Sequence, residues 1–370
     1  MKRILALLIL AFAAAVPAAA QQNVSNVVLT ALKDEMKRSV TDLQLKNFEK
    51  PYFIEYRLQD VYSYRIDARF GALTVSGGGR QRRGSAQVRV GNYEFDNTNS
   101  FGGGDFGMEA FLGGMDGGLN QQALPFEDDY GVIRQRFWLM TDSAYKSAIE
   151  QMSAKRTAMK TNPPDEIYPD LSVETPVTNT EDFKKIELDV AKWEKIIRNL
   201  SAVFKNYPEI VNSGVSLFVF SSDSLMINNE GFLIRKPANY IGLNIQADSV
   251  TEEGHPTGLS RTVYAKTFDG IGNEEQLAKI AAELAGDILK SRNAPKITET
   301  YIGPVLLSQN AAVNIFAQSF APNLINRRGE GSRDLADRIN RRVLPTFLSV
   351  TDNPRIEKIG STELPGSYRF

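Results

Sequence analysis

The chain has 370 residues, 42% of them hydrophobic, with 43 basic and 44 acidic side chains and a formal net charge of −1. That length supports two or three domains with sizeable apolar interiors, and the balanced charge gives no reason to expect a nucleic-acid partner. With no cysteine there is no disulfide framework, and with a single histidine there is little to hold a metal.

The opening stretch, MKRILALLILAFAAAVPAAAQQ, sets Lys2 and Arg3 before an apolar run from Ile4 to Val16, and then Ala18 and Ala20 before Gln21. That order reads as a cleavable signal peptide over residues 1–20. The apolar run is shorter than the roughly 20 residues of a spanning helix, and no cysteine is available for a lipid. The expected mature protein is exported, to the periplasm or outside the cell, with no membrane anchor.

From Val24 to Leu45, apolar residues such as Val28, Leu32, Met36 and Val40 recur at helical spacing. Three β-rich stretches follow, Tyr52 to Tyr62, Tyr64 to Val75 and Ala86 to Phe95, and Gly77 to Gly79 predict the connection between the last two. The glycine-rich stretch 100–122 predicts a long loop; neither it nor GGGRQRRG carries a phosphate-cradling motif. After Glu127, Asp128 and Asp129, acids suited to a helix N-terminus, a helix runs to about Met159.

Residues 161–180 are rich in Pro, Asp and Thr and predict a linker between an N-terminal α+β domain, 21–160, and a middle α+β domain, 181–300. The middle domain opens with a helix from Ile186 to Phe204. Strands follow at Val215 to Phe220, Ser224 to Ile227, Phe232 to Arg235, Tyr240 to Ala247 and Arg261 to Ala265. Asn228-Asn229-Glu230-Gly231 predicts a tight hairpin turn, because Asn and Gly tolerate positive φ. A helix from Glu274 to Arg292 closes the domain. Residues 301–370 read as the beginning of a further, mostly β, domain, with strands at Ile302 to Leu307 and Val343 to Val350 and a helix from Asn310 to Phe320. Its short length suggests an incomplete unit.

Catalytic options are few. His255 has no second His or Cys with which to share zinc, and no G-x-S-x-G surrounds a serine for a Ser-His-Asp triad. The acid pairs Glu252–Glu253 and Asp128–Asp129 offer acid–base chemistry only if a cleft assembles them. The arginine pairs Arg327–Arg328 and Arg341–Arg342 read as hydrated faces. No catalytic, cofactor-binding or metal-binding residue is assigned on these grounds.

Ile227-Asn228-Asn229-Glu230-Gly231 resembles the N-S-E-G hairpin of the TldD/PmbA family, the modulators of DNA gyrase, with Asn229 in place of the serine. Gly303 to Val313 and Phe316-Ala317-Gln318 resemble the strand and helix that open that family's C-terminal domain. Val350 to Pro354 and Leu364 to Phe370 resemble the stretch before its acidic D-D-E-G segment. Leu124 to Asp129 and Trp138 to Lys146 are similar to an exported branch.

The resemblance implies an α+β fold of antiparallel sheets packed with amphipathic helices. It also implies metallopeptidase ancestry, in which zinc is held by an H-E-x-x-x-H helix and a later cysteine, with a metal-free subunit as partner. The matching helix reads Leu307 to Asn314 and sets Ser308, Gln309, Asn310 and Asn314 in the ligand region, with no imidazole. The expectation is a metal-free, cofactor-free, peptide-binding subunit beside a TldD-like peptidase, with Asn228, Asn229, Glu230 and Gly231 as a peptide-binding or structural hairpin. Two alternatives stand: a zinc peptidase completed by a partner or a missing C-terminus, and a non-enzymatic protein of the cell envelope.

Overall fold

The computed structural model describes residues 20–99, 121–161, 169–295, 298–307 and 309–324, and part of 335–363. The predicted glycine-rich loop lies almost wholly outside these residues, as do Ser308 and the Arg327–Arg328 pair. The fold is α+β, built on antiparallel strands of unusual length.

Helix α1 spans Ala20–Asp42. Strands β1, Pro51–Arg69, and β2, Ala72–Val90, each run for 19 residues and pair antiparallel along their whole length. The turn between them is Phe70-Gly71, both at positive φ, the backbone that suits a two-residue hairpin. The expected break at Gly77 to Gly79 is therefore absent: β2 passes straight through the glycines. A Cβ on Gly78 would meet the Ser63 carbonyl and stand 2.6 Å from the Tyr64 ring, so the glycine admits a close approach within the strand.

Past β3, Gln122–Ala123, helix α2 spans Tyr130–Thr161. The Asp129 carboxylate accepts the Val132 N–H at 2.8 Å, so part of the acidic cluster does cap this helix. Thr178–Thr180 forms a short strand, β4. Helix α3, Val190–Ala202, begins at Asp189, whose side chain accepts the Lys192 N–H; Ile186 and Leu188 stay outside the helix. Strands β5, Ile210–Asn228, β6, Leu233–Val250, and β7, Pro256–Ala265, follow. The breaks expected within β5 and β6 do not occur, because β1 and β5 each provide a full-length neighbour to pair with. Helix α4, Glu274–Arg292, has the expected limits and a capping box at Asn273 and Gln276.

The strands join in the order β3-β2-β1-β5-β6-β4, with β7 also on β6. Stretches from both sides of residues 161–180 thus belong to one sheet. Even positions of β1 and odd positions of β5 face the helices. At one end of the long strands Ile54, Tyr56 and Leu58 of β1 pack with α1 and α2; at the other, Ile66 and Ala68 pack with α3 and α4. The two cores lie on one face of one sheet.

Past α4, Ile302 and Leu306 are 93% and 94% exposed, and neither Ile302 to Leu307 nor Val343 to Val350 forms a strand. A strand needs a neighbour for its backbone groups, and the described residues offer none there. The expected helix is present as α5, Gln309–Ile315, continued by a wider turn over Phe316–Phe320 and by Ala321–Leu324. A two-residue ladder, β8 at Lys358–Ile359 and β9 at Thr362–Glu363, lies beyond it.

Candidate functional site

Between the two cores, the helix-facing side of the sheet turns polar. Asp60 of β1 accepts the Arg80 guanidinium through both oxygens and Arg82 through one, at 2.5–2.8 Å. Arg82 also donates to Asp128. Arg80 lies 5.1 Å from the Tyr62 ring and 5.2 Å from Phe126, and Phe183 stacks on Tyr62 from the segment that crosses the sheet before α3. Burial pushes the Asp60 carboxyl up, but the Arg80 hydrogen bond and the Arg82 charge outweigh it and hold the group below the usual range. Next along the band, Arg235 pairs with Asp223 at 2.7 Å. The charges answer one another, so this band joins the two cores rather than presenting a free group to a ligand.

At the α1–α2 end, the hairpin read from the sequence is in place. Asn228 Oδ1 accepts the backbone N–H of Glu230 and of Phe232, both at 3.0 Å, and Gly231 takes φ +99°, where a side chain would be strained. Asn229 points back to β1: its carboxamide accepts the Ile54 N–H at 2.7 Å and donates to the Tyr52 carbonyl at 3.0 Å. Glu230 accepts the Tyr93 hydroxyl, which raises the Tyr93 pKa. Asn228 and Gly231 are thereby committed to shaping the turn, and Asn229 and Glu230 to holding it against β1 and the segment after β2.

The same turn forms one wall of a cavity of about 460 Å³, whose other wall is α1. That volume lies within the usual range of ligand sites. The hairpin side contributes apolar Ile227, Phe232 and Leu233 together with Asn228, Asn229 and Gly231 of the turn itself, and α1 contributes Met36 and Val40 with Lys33, Lys37 and Thr41. Thr178 of β4 closes one end. The opposite face of α1 is turned to α2: Glu35, 2% exposed, accepts Arg38, and the Tyr56 hydroxyl donates to Ser39. Burial pushes the Tyr56 phenol up to about 12, against the opposing hydrogen bonds with Ser39 and Thr141. Met36 and Val40 were legible as an apolar stripe. Lys33 and Lys37 were not singled out, although two like charges one turn apart beside such a stripe are the available signal.

The other candidates stay apart from this cavity. His255 Nε2 lies 3.4 Å from Glu253 in the turn between β6 and β7, with both side chains more than 60% exposed. Asp128 is engaged by Arg82 and Asp129 caps α2, so the two acid pairs are not assembled for catalysis. Gln309, Asn310 and Asn314 lie on α5, where Asn314 is exposed, and Arg341 and Arg342 are exposed as expected. Among the described residues, no three His, Cys, Asp or Glu side chains are grouped to hold a metal ion. No helix of the described residues is long and apolar enough to cross a membrane.

No protein-family profile matches the chain, and no curated protein does. Solved structures do. One is TldE from Thermococcus kodakarensis, at 11% identity and TM-score 0.42, covering 70% of this chain and 47% of that one. A candidate DNA-gyrase modulator from Bacteroides thetaiotaomicron gives 10% identity and TM-score 0.40, with 74% and 51% covered. A second from Thermotoga maritima gives 10% and 0.36, with 72% and 48% covered. The similarity is to the family whose motifs the sequence resembles, and the chain spans about half the length of these structures. Nothing further is built on likenesses of this level, and the α+β assignment rests on the chain's own strands and helices.

Proposed function

We propose that this chain is the exported, non-catalytic member of a TldD/PmbA-type peptidase pair, binding peptide while a partner subunit supplies zinc chemistry. The donor set carries this reading. Where the resemblance places the zinc helix, the chain reads Leu307 to Asn314, and Ser308, Gln309, Asn310 and Asn314 bring hydroxyl and amide groups. Zinc takes imidazole, thiolate and carboxylate donors, so these residues do not fit it.

The role left to such a subunit is recognition. An extended peptide is recognised through main-chain hydrogen bonds at a sheet edge and pockets for alternate side chains. The cavity beside the hairpin, with β4 at its end, offers that combination. The signal-peptide-like opening of the sequence supports the exported part of this reading, and gyrase is absent outside the cytoplasm.

The test is to purify the mature chain alone and together with a TldD-like subunit from the same cell, and then to measure zinc content and hydrolysis of an unstructured peptide. The reading expects no stoichiometric zinc in the chain alone and peptidase activity only in the mixture. Stoichiometric zinc in the isolated chain, removed by a chelator together with hydrolysis, would overturn it.

A further inference from the structure

Lys33 and Lys37 stand one turn apart on the face of α1 that looks onto the hairpin, and neither ammonium has an ion-pair partner among the described residues. No carboxylate lines their cavity. The nearest acids by sequence are otherwise occupied: Asp34 accepts the Tyr130 hydroxyl, Glu35 accepts Arg38, and Glu230 across the cavity accepts Tyr93. The site therefore sets two unanswered positive charges opposite a mixed wall, in which apolar Ile227, Phe232 and Leu233 flank the Asn228–Asn229 turn.

From this we infer that the cavity receives an extended peptide segment in which acidic side chains alternate with apolar ones, an inference that rests on the peptide-binding reading above. The spacing supports it. Side chains two residues apart on a strand share a face and lie about 6.6 Å apart, close to the roughly 5–6 Å between helix positions four apart. Two acids of one strand can thus meet Lys33 and Lys37 together, while the intervening apolar side chain turns toward Ile227, Phe232 and Leu233. Backbone pairing is available alongside: β4 is exposed throughout and, among the described residues, pairs only with β6 and ends its sheet.

The experiment uses the mature full chain and three fluorescein-labelled peptides read by anisotropy: Asp-Leu-Glu-Val-Asp-Leu, its Asn/Gln counterpart and its Lys counterpart. The acidic probe should bind most tightly, weaken with added salt, and lose about tenfold or more in affinity in the double variant Lys33→Glu with Lys37→Glu. Both lysines are exposed, so circular dichroism and Tm should be unchanged. Lys192→Glu with Lys195→Glu, exposed on α3, makes the same charge change elsewhere and should leave binding intact. Equal affinity for acidic and neutral probes, or equal loss in the two double variants, would overturn this inference and leave peptide binding standing. Failure of all three probes to bind would overturn both.

Discussion

Asn229 at the tip of the β5–β6 hairpin is joined to Ile54 of β1 by a 2.7 Å hydrogen bond from the Ile54 N–H to its side-chain oxygen, and its amide donates to the Tyr52 carbonyl. The carboxamide acts as a further peptide unit of the sheet. Truncation in Asn229→Ala leaves a main-chain donor and an acceptor without partners, which costs about 1–3 kcal/mol. Asn229→Asp keeps the acceptor for Ile54 but sets a charge against the Tyr52 carbonyl, and should also destabilise. Urea denaturation of the chain checks both; unchanged midpoints would show that the pairing contributes nothing.

Gly78 separates what a glycine run suggests from what it does. In Gly77-Gly78-Gly79 only the middle residue is closely approached; a Cβ at either neighbour meets nothing within 4 Å. Gly78→Ala should cost about 1–3 kcal/mol by overpacking. Gly77→Ala and Gly79→Ala should be neutral, or stabilising by restricting the unfolded chain. Thermal melts of the three variants give the comparison, and equal Tm values would dispose of the close-approach account.

That run also shows why strand limits were only partly legible. Helices carry their boundaries locally: Asn273 with Gln276, and the Leu277, Ala281, Leu284 stripe, define α4 from within. Strand continuity is decided by a neighbour. Gly77 to Gly79 has every local mark of a turn, yet β1 pairs opposite it residue by residue, while the real turn uses Phe70 at positive φ, which nothing local announces. The hairpin at Asn228 to Gly231 was legible because its own side chains build it. The cavity was not, because its walls come from α1 and a turn nearly 200 residues later, brought together only by the sheet.

The acid limb of stability follows from Asp60 and Asp96. In both, burial raises the carboxyl pKa but is outweighed: by Arg80 and Arg82 for Asp60, and by hydrogen bonds from Thr98, Arg89 and Tyr52 for Asp96. Their folded-state values are depressed, so the unfolded state binds more protons as pH falls, and stability declines from about pH 4 downward as each carboxylate is protonated. Asp60→Asn should lower stability at neutral pH and flatten the slope below pH 4. Unfolding free energies of wild type and variant across that range test the sign; parallel slopes would mean that Asp60 is not a contributor.

Lys155 of α2 is buried, 2% exposed, and its ammonium donates to Asp170 and to the Thr98 carbonyl and lies 4.7 Å from the Phe95 ring. Asp170 in turn accepts the Asp96 N–H at 2.8 Å, so one lysine ties α2 to two segments that leave the sheet on either side of it. Lys155→Met keeps most of the volume but leaves the Asp170 carboxylate without this buried cation, with the Asp96 N–H and the Asn99 amide still on it, and breaking a buried pair costs about 3–5 kcal/mol. Adding Asp170→Asn removes that charge and should recover part of that loss, which separates the electrostatic cause from simple loss of packing. The local consequence should exceed the global one: residues 92–99 lose one of their anchors to α2, keeping the Asn97–Gln151 hydrogen bond, so their amides should exchange faster with deuterium than those of β5 in the same variant. Equal acceleration in both places would mean that the lysine supports the fold as a whole rather than clamping these segments.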